Sequence, residues 1–100
     1  MAIEQPGYLV GNFTITDPQL MAEYGEQARP LVHRHGGVMT LMNHDLEPDE
    51  GEAQPVLVII RFPTFEEARA FYQAPEYAPL KALRLKATTG GFLALVPGLE

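Results

Sequence analysis

Apolar residues cluster in four short stretches of the chain, and this pattern predicts β-strands. The first is rich in β-branched and aromatic residues, and a proline directly follows the third. An acidic segment with Pro and Gly, residues 44–54, separates the second from the third and predicts an exposed loop. The four expected strands are Tyr8–Ile15, Val38–Asn43, Val56–Phe62 and Phe92–Val96.

A helix start signal follows the first strand. Asp17 is a favoured N-cap residue and Pro18 occupies the first helical position, so we expect a helix from here to about Arg34. Apolar residues recur along this segment at helical spacing and form one face. Gly25 and Pro30 interrupt the pattern, and a kink is expected at Pro30 because proline removes a backbone hydrogen bond.

Two further helical segments follow the third strand. Thr64 and Glu67 form a capping box, so a helix begins there and continues until residues 74–75 break it. Pro79 opens another segment, expected to run to about residue 87. The glycine pair Gly90-Gly91 is expected to end that segment.

The element order is therefore β-α-β-β-α-α-β, which we interpret as a single α+β domain over residues 1–100. This order is typical of ferredoxin-like folds and predicts a four-stranded antiparallel sheet with the helices on one face. The third and fourth strands are apolar on both sides, whereas a sheet with one solvated face should alternate apolar and polar residues. Because the helices can cover one face only, we expect a homodimer through the other face.

Several motifs together resemble a known family. The chain resembles the domain of unknown function 1330 family, within the dimeric α/β-barrel superfamily. The resemblance implies a homodimer in which two sheets face each other and enclose cavities. It implies no activity, since superfamily relatives range from cofactor-free monooxygenases and lactone isomerases to haem enzymes. The matching motifs are Gly7-Tyr8, Thr16-Asp17-Pro18, Gly36-Gly37, Phe62-Pro63-Thr64-Phe65-Glu66, Ala74-Pro75-Glu76-Tyr77 and Lys81-Ala82-Leu83-Arg84.

Composition excludes several classes of partner and site. There are 13 acidic and 7 basic residues, so the net charge of −6 argues against nucleic acid or an anionic membrane as partner. The absence of cysteine excludes disulfides, thiolate metal ligands and a cysteine nucleophile. The first residues lack the basic and apolar regions of a signal peptide, and no apolar run approaches the length of a membrane span. We therefore expect a cytoplasmic protein.

The candidate metal ligands are three histidines and a cluster of acidic residues. His33 and His35 lie about 200° apart around a regular helix, so they cannot share an ion there. His44 begins the acidic loop. The carboxylates of that loop lack the spacing of a calcium site and are interpreted as a solvated turn. We expect no metal site and no cofactor.

Five residues are candidates for ligand binding. Asn12 and Arg61 are polar side chains within otherwise apolar strands, and a buried arginine requires an anion. Tyr77 and Arg84 lie in the family motifs, and His35 borders the apolar helix face. Each also has a structural interpretation: strand ends near water for Asn12 and Arg61, core filling for Tyr77, and a salt bridge or helix-end cap for Arg84.

The sequence leaves three function classes open. The first is a protein that binds a small organic molecule, acidic or neutral, or an enzyme resembling cofactor-independent oxygenases or isomerases. The second is a non-catalytic dimeric accessory or sensor domain, and the third is a haem- or metal-dependent enzyme. No nucleophile-base-acid set, phosphate loop or dinucleotide fingerprint decides whether the chain is an enzyme.

Overall fold

The computed structural model describes residues 5–99, in which four strands and three helices follow the order β-α-β-β-α-α-β. This confirms the ferredoxin-like α+β fold expected from the element order. No helix in the described part of the chain is both long and apolar enough to span a bilayer. The elements are β1 (Gly7–Ile15), α1 (Pro18–Arg34), β2 (Val38–Asn43), β3 (Val56–Phe62), α2 (Phe65–Gln73), α3 (Tyr77–Ala87) and β4 (Thr88–Pro97).

The four strands form one antiparallel sheet in the order β2-β3-β1-β4. In the centre of the sheet Leu9 of β1 lies opposite Ile60 of β3, and Gly11 lies opposite Val58. Successive side chains of a strand point to opposite faces, so these positions share one face, which we call the inner face. The helices pack on the inner face.

Side-chain caps begin α1 and α2, as the sequence predicts. The carboxylate of Asp17 accepts a hydrogen bond from the backbone N–H of Leu20 at 3.1 Å. The hydroxyl of Thr64 accepts one from the backbone N–H of Glu67 at 3.0 Å. Each cap satisfies one of the donors that a helix N-terminus leaves without an intrahelical partner. Pro30 lies inside α1 and does not end it.

The structure corrects the prediction between α3 and β4. Gly90 and Gly91 do not end the helix; they lie inside β4, which begins directly after α3 at Thr88. Both have positive φ, 71° and 70°, where β4 shifts its register against β1 between Asn12 and Thr14. A Cβ at position 91 would collide with the backbone carbonyl of Asn12, so this irregularity requires glycine.

The prediction for the start of α3 was also wrong. The helix begins at Tyr77, two residues before Pro79. The backbone N–H of Tyr77 donates to the carbonyl of Ala74 at 2.9 Å, so a turn leads straight from the end of α2 into α3. Pro79 is compatible with this start because the first turn of a helix needs no intrahelical N–H donor there.

An aromatic cluster fills the core between the inner face and the helices. The ring of Phe71 lies 5.4 Å from that of Phe62 and 4.8 Å from that of Tyr77. These three are the largest fully buried side chains. Burying one large apolar side chain stabilises a fold by about 1.5–3 kcal/mol, so this cluster anchors α2 and α3 to the sheet.

No helix or strand within residues 5–99 covers the opposite face of the sheet, which we call the outer face. The molecule is only 16 Å thick along its shortest axis, which is one sheet and one layer of helices. The outer face is nevertheless mostly apolar, as the pattern of β3 and β4 predicts. Its apolar positions are Tyr8, Val10, Val38, Leu41, Leu57, Ile59, Phe92, Ala94 and Val96.

Candidate functional site

A cavity of about 840 Å³ lies between α1 and the inner face of the sheet. It exists because α1 packs chiefly against α3 and stands away from the strands. Small-molecule sites are typically concave and occupy ~300–1,000 Å³, so this volume suits a molecule of drug-like size.

The walls of the cavity are largely apolar. Its floor is the inner face, where Gly11 has no side chain to fill the space beneath α1. Its roof is α1, where a Cβ at Gly25 would meet no atom within 4 Å. Apart from the methionines of β2, the apolar and glycine residues of the lining are Leu9, Gly11, Phe13, Ile15, Val58, Ile60 and Leu93 below, and Pro18, Met21, Ala22, Gly25, Ala28 and Val32 above.

The mouth of the cavity lies between α1 and the edge strand β2. Met39 and Met42 lie on the inner face and line the cavity, yet they are 54% and 40% exposed. His33 and His44 also line the cavity and are exposed. Methionine side chains adapt to irregular apolar surfaces, so this edge can accommodate ligands of varied shape.

Arg84 is the charged residue buried in this cavity. It belongs to the buried face of α3 together with Tyr77, Leu80 and Ala87, and is itself only 7% exposed. Its Nε is buried and has no hydrogen-bond partner. Neither of the two ion pairs among residues 5–99 includes Arg84. A guanidinium keeps its charge at all ordinary pH values, so Arg84 is a buried cation without a carboxylate partner among residues 5–99.

The charge of the cavity lining is opposite in sign to the net charge of the protein. The net charge of the protein is −6. The cavity is lined by two arginines, Arg29 and Arg84, against one carboxylate, Glu26. The cavity therefore favours anions although the protein as a whole is acidic.

Tyr24 supplies a phenol to the same cavity. Its hydroxyl lies 2.8 Å from that of Tyr77, and the two rings meet edge to face at 6.3 Å. Burial, followed by the neighbouring Tyr77, raises the pKa of Tyr24 far above its ordinary value, and the charge of Arg84 opposes this only in part. Tyr24 is therefore a neutral phenol that can donate a hydrogen bond, and it is not a base.

This pKa shift predicts the response of stability to alkaline pH. The pKa of Tyr24 is higher in the folded than in the unfolded chain, so its contribution is complete below pH ~10 and is lost as pH rises above that value. Urea unfolding between pH 9 and about 11.5 should show the free energy of unfolding falling less steeply for Tyr24→Phe than for the wild type. Equal slopes would contradict the assigned burial of this phenol.

Two of the five predicted site residues are held by the protein's own groups. The side-chain amide of Asn12 donates to the carbonyls of Gln54 and Val56, both at 2.9 Å, and its oxygen accepts from the backbone N–H of Gln54 at 3.1 Å. These three hydrogen bonds hold the segment before β3 in place, and they use both hydrogens of the Asn12 amide. Tyr77 is fully buried, and it reaches the cavity only through the hydroxyl of Tyr24.

Two other predicted site residues lie away from the cavity. His35 stands at the C-terminal end of α1, where its Nδ1 is 3.1 Å from a carboxylate oxygen of Glu67. Arg61 is exposed on the outer face, opposite Tyr8 and Val38. The structure thus does not bring the five residues together, and Arg84 is the member of the set that lines the cavity.

The sequence pattern did not indicate the α1 side of the cavity. In the sequence, Gly25 counted only as an interruption of the helical pattern. The signal that could have indicated this side is a glycine inside a helix-forming segment, at a position where no turn explains it. Among residues 5–99 no group of three or more His, Asp or Glu side chains is arranged to hold a metal ion.

Comparison with known proteins identifies a family and a fold. The family described as domain of unknown function (DUF1330) matches residues 6–99. No curated protein matches the chain. A solved structure of a protein of unknown function from Rhodopseudomonas palustris is similar, with a TM-score of 0.72 at 17% identity over 98% of this chain and 85% of that one.

Two further solved structures are similar at lower identity. SnoaB, a cofactor-independent oxygenase from Streptomyces nogalater, has a TM-score of 0.66 at 14% identity over 96% of this chain and 95% of its own. A dimeric protein of unknown function with a ferredoxin-like fold from Bacteroides fragilis has a TM-score of 0.58 at 12% identity over 96% and 99%. At these identities the similarity establishes the fold alone.

Proposed function

This chain belongs to the DUF1330 family, and we propose that it binds a largely apolar small molecule carrying one negative charge in the cavity beneath α1. The observation that carries this proposal is Arg84, a buried cation whose Nε has no partner in the ligand-free protein. Removing a charge from water costs several kcal/mol unless an opposite charge compensates it. A ligand carboxylate or enolate would supply that charge.

The proposed ligand has two parts, which contact different regions of the cavity. The acidic group lies at Arg84, whose planar fork suits a carboxylate, and the neutral hydroxyl of Tyr24, which pairs with that of Tyr77, is a second polar group in the same cavity. The apolar body covers the floor formed by the inner face and extends toward Met39 and Met42 at the mouth. Its burial supplies the main favourable free energy, and Arg84 supplies the selectivity for charge.

A matched pair of fluorescent probes tests this function. 1-Pyrenecarboxylate and 1-pyrenemethanol have the same apolar body, and only the first carries a charge. Hydrogen bonds to charged groups contribute about 1.5–3 kcal/mol, so the carboxylate should bind at least roughly tenfold more tightly in a fluorescence titration. Equal affinity for the two probes, or binding of neither, would contradict the proposal.

The proposed state of the protein is a homodimer in which the outer faces of two copies meet. A contiguous apolar patch on a soluble protein marks an interaction site, and the outer face carries no carboxylate at its paired positions. A second copy of the chain supplies a matching apolar surface, and a two-fold axis brings the two outer faces together. The dimeric state of the Bacteroides fragilis protein, which has the same fold, supports this choice.

A second candidate function is cofactor-independent oxygenation, in line with the activity named for SnoaB. The favouring observation is again Arg84, because a buried cation in a largely apolar cavity would stabilise the enolate that remains when a ketone loses an α-proton to solvent, and this enolate is the form that reacts with oxygen. Oxygen uptake by 2-tetralone should then be faster with wild-type protein than in buffer, and the increase should vanish in Arg84→Met. Probe binding without oxygen uptake would leave a binding or sensor protein.

A further inference from the structure

Gly25 lies at a position where the helix does not require glycine. It lies near the middle of α1, which runs for 17 residues. Glycine is among the least favourable residues in a helix interior, because it loses more backbone freedom than alanine on folding. A glycine here therefore destabilises α1 and calls for a compensating reason.

The usual structural reasons for glycine do not apply at this position. The glycines with positive φ in the described part of the chain are Gly36, Gly51, Gly90 and Gly91, so Gly25 does not need an unusual backbone conformation. Close packing does not require it either, because a Cβ at Gly25 would meet no atom within 4 Å. At Gly37, by contrast, a Cβ would come within 2.8 Å of two side chains.

The remaining neighbour of Gly25 is the cavity. Gly25 lines the roof with Ala22 and Ala28, three residues to either side, so small residues make up part of this roof beside the larger Met21 and Tyr24. Arg84, whose Nε has no hydrogen-bond partner, lines the same space. We infer that Gly25 determines the size of ligand that the cavity accepts, leaving room for a bulky, polycyclic body on an anion held by Arg84. This inference rests on the proposed binding function and adds the class of ligand.

The test compares two anionic probes of different size, benzoate and 1-pyrenecarboxylate. In Gly25→Leu the new side chain would occupy the space above the floor, so 1-pyrenecarboxylate should bind at least roughly tenfold more weakly. The affinity for benzoate should change by less than about twofold, since the single ring can stay next to Arg84. Isothermal titration calorimetry measures both affinities on the same preparations.

Two further variants separate a steric effect from a change in the helix. Gly25→Ala should raise the melting temperature, because alanine favours the helix and its methyl group meets no neighbour. Gln27→Leu places the same new side chain on an exposed position of α1 outside the cavity. It should bind both probes as the wild type does.

The outcomes distinguish this inference from the proposed function. If the wild type binds 1-pyrenecarboxylate and Gly25→Leu binds it equally well, or loses both probes equally, Gly25 does not determine ligand size. If Gly25→Ala lowers the melting temperature, the glycine has a structural role and the inference is overturned. If the wild type binds neither probe, the proposed function fails and this inference fails with it.

Discussion

Arg84→Met is expected to raise the stability of the ligand-free protein and to abolish its preference for anionic ligands. The substitution removes a buried charge with an unpartnered Nε and keeps an unbranched apolar side chain that matches the arginine stem out to Nε. Replacing buried ionic groups by apolar ones can stabilise a protein by about 1–4 kcal/mol. For a domain of this size, each 1 kcal/mol raises the melting temperature by roughly 4–8 °C.

Thermal unfolding and the pyrene probe pair measure the two effects together. The preference for 1-pyrenecarboxylate over 1-pyrenemethanol should disappear in Arg84→Met, while the neutral probe still binds. Arg69→Met is the matched control, since Arg69 is exposed and lies over the ring of Phe65 outside the cavity. A large loss of stability in Arg84→Met would show that the guanidinium has a compensating partner within the protein, which would contradict its assignment as an anion site.

Ile59→Glu is expected to convert the proposed dimer into a monomer. Ile59 lies on the outer face between Val10 of β1 and Leu41 of β2, near the middle of the apolar surface. A two-fold axis would bury one new carboxylate from each copy, and an uncompensated buried charge costs ~3–5 kcal/mol. The dimer dissociation constant should therefore rise by more than roughly hundredfold.

Light scattering and sedimentation at micromolar concentration measure this change. Leu85→Glu is the matched control, because Leu85 is an exposed apolar residue of α3, on the helical side of the molecule. It should leave the dimer intact. A wild-type protein that is already monomeric, or an Ile59→Glu variant that stays dimeric, would exclude the outer face as the interface.

Much of the fold could be predicted because its signals are local. The caps at Asp17 and Thr64 and the apolar run of β3 depend on residues within a few positions of each other, and the structure confirms them. The structural role of Gly90 and Gly91 was mispredicted because it depends on a contact that is distant in the sequence. A glycine pair marks either the end of a helix or a bulge in a strand, and the choice depends on the distant carbonyl of Asn12.

The candidate site could be predicted only in part. Arg84 was selected because it is a charged residue in one of the family motifs, and it does line the cavity. Asn12 was selected as a polar side chain within an otherwise apolar strand, but Gln54 and Val56 satisfy its amide, from more than forty positions along the chain. A sequence pattern shows that a polar side chain lies among apolar neighbours. It does not show whether that side chain is buried, as Asn12 is and Arg61 is not, or which distant backbone group meets it.

The sequence by itself determined the elements, their order and the apolar outer face, because periodicity and capping act over one or two turns of chain. Only the tertiary structure decided that α1 would stand away from the sheet and leave a cavity lined by Gly11, Gly25 and Arg84. The physical reason is that a cavity is a property of the distance between elements. That distance depends on how α1 packs against α3, and no local pattern of residues encodes it.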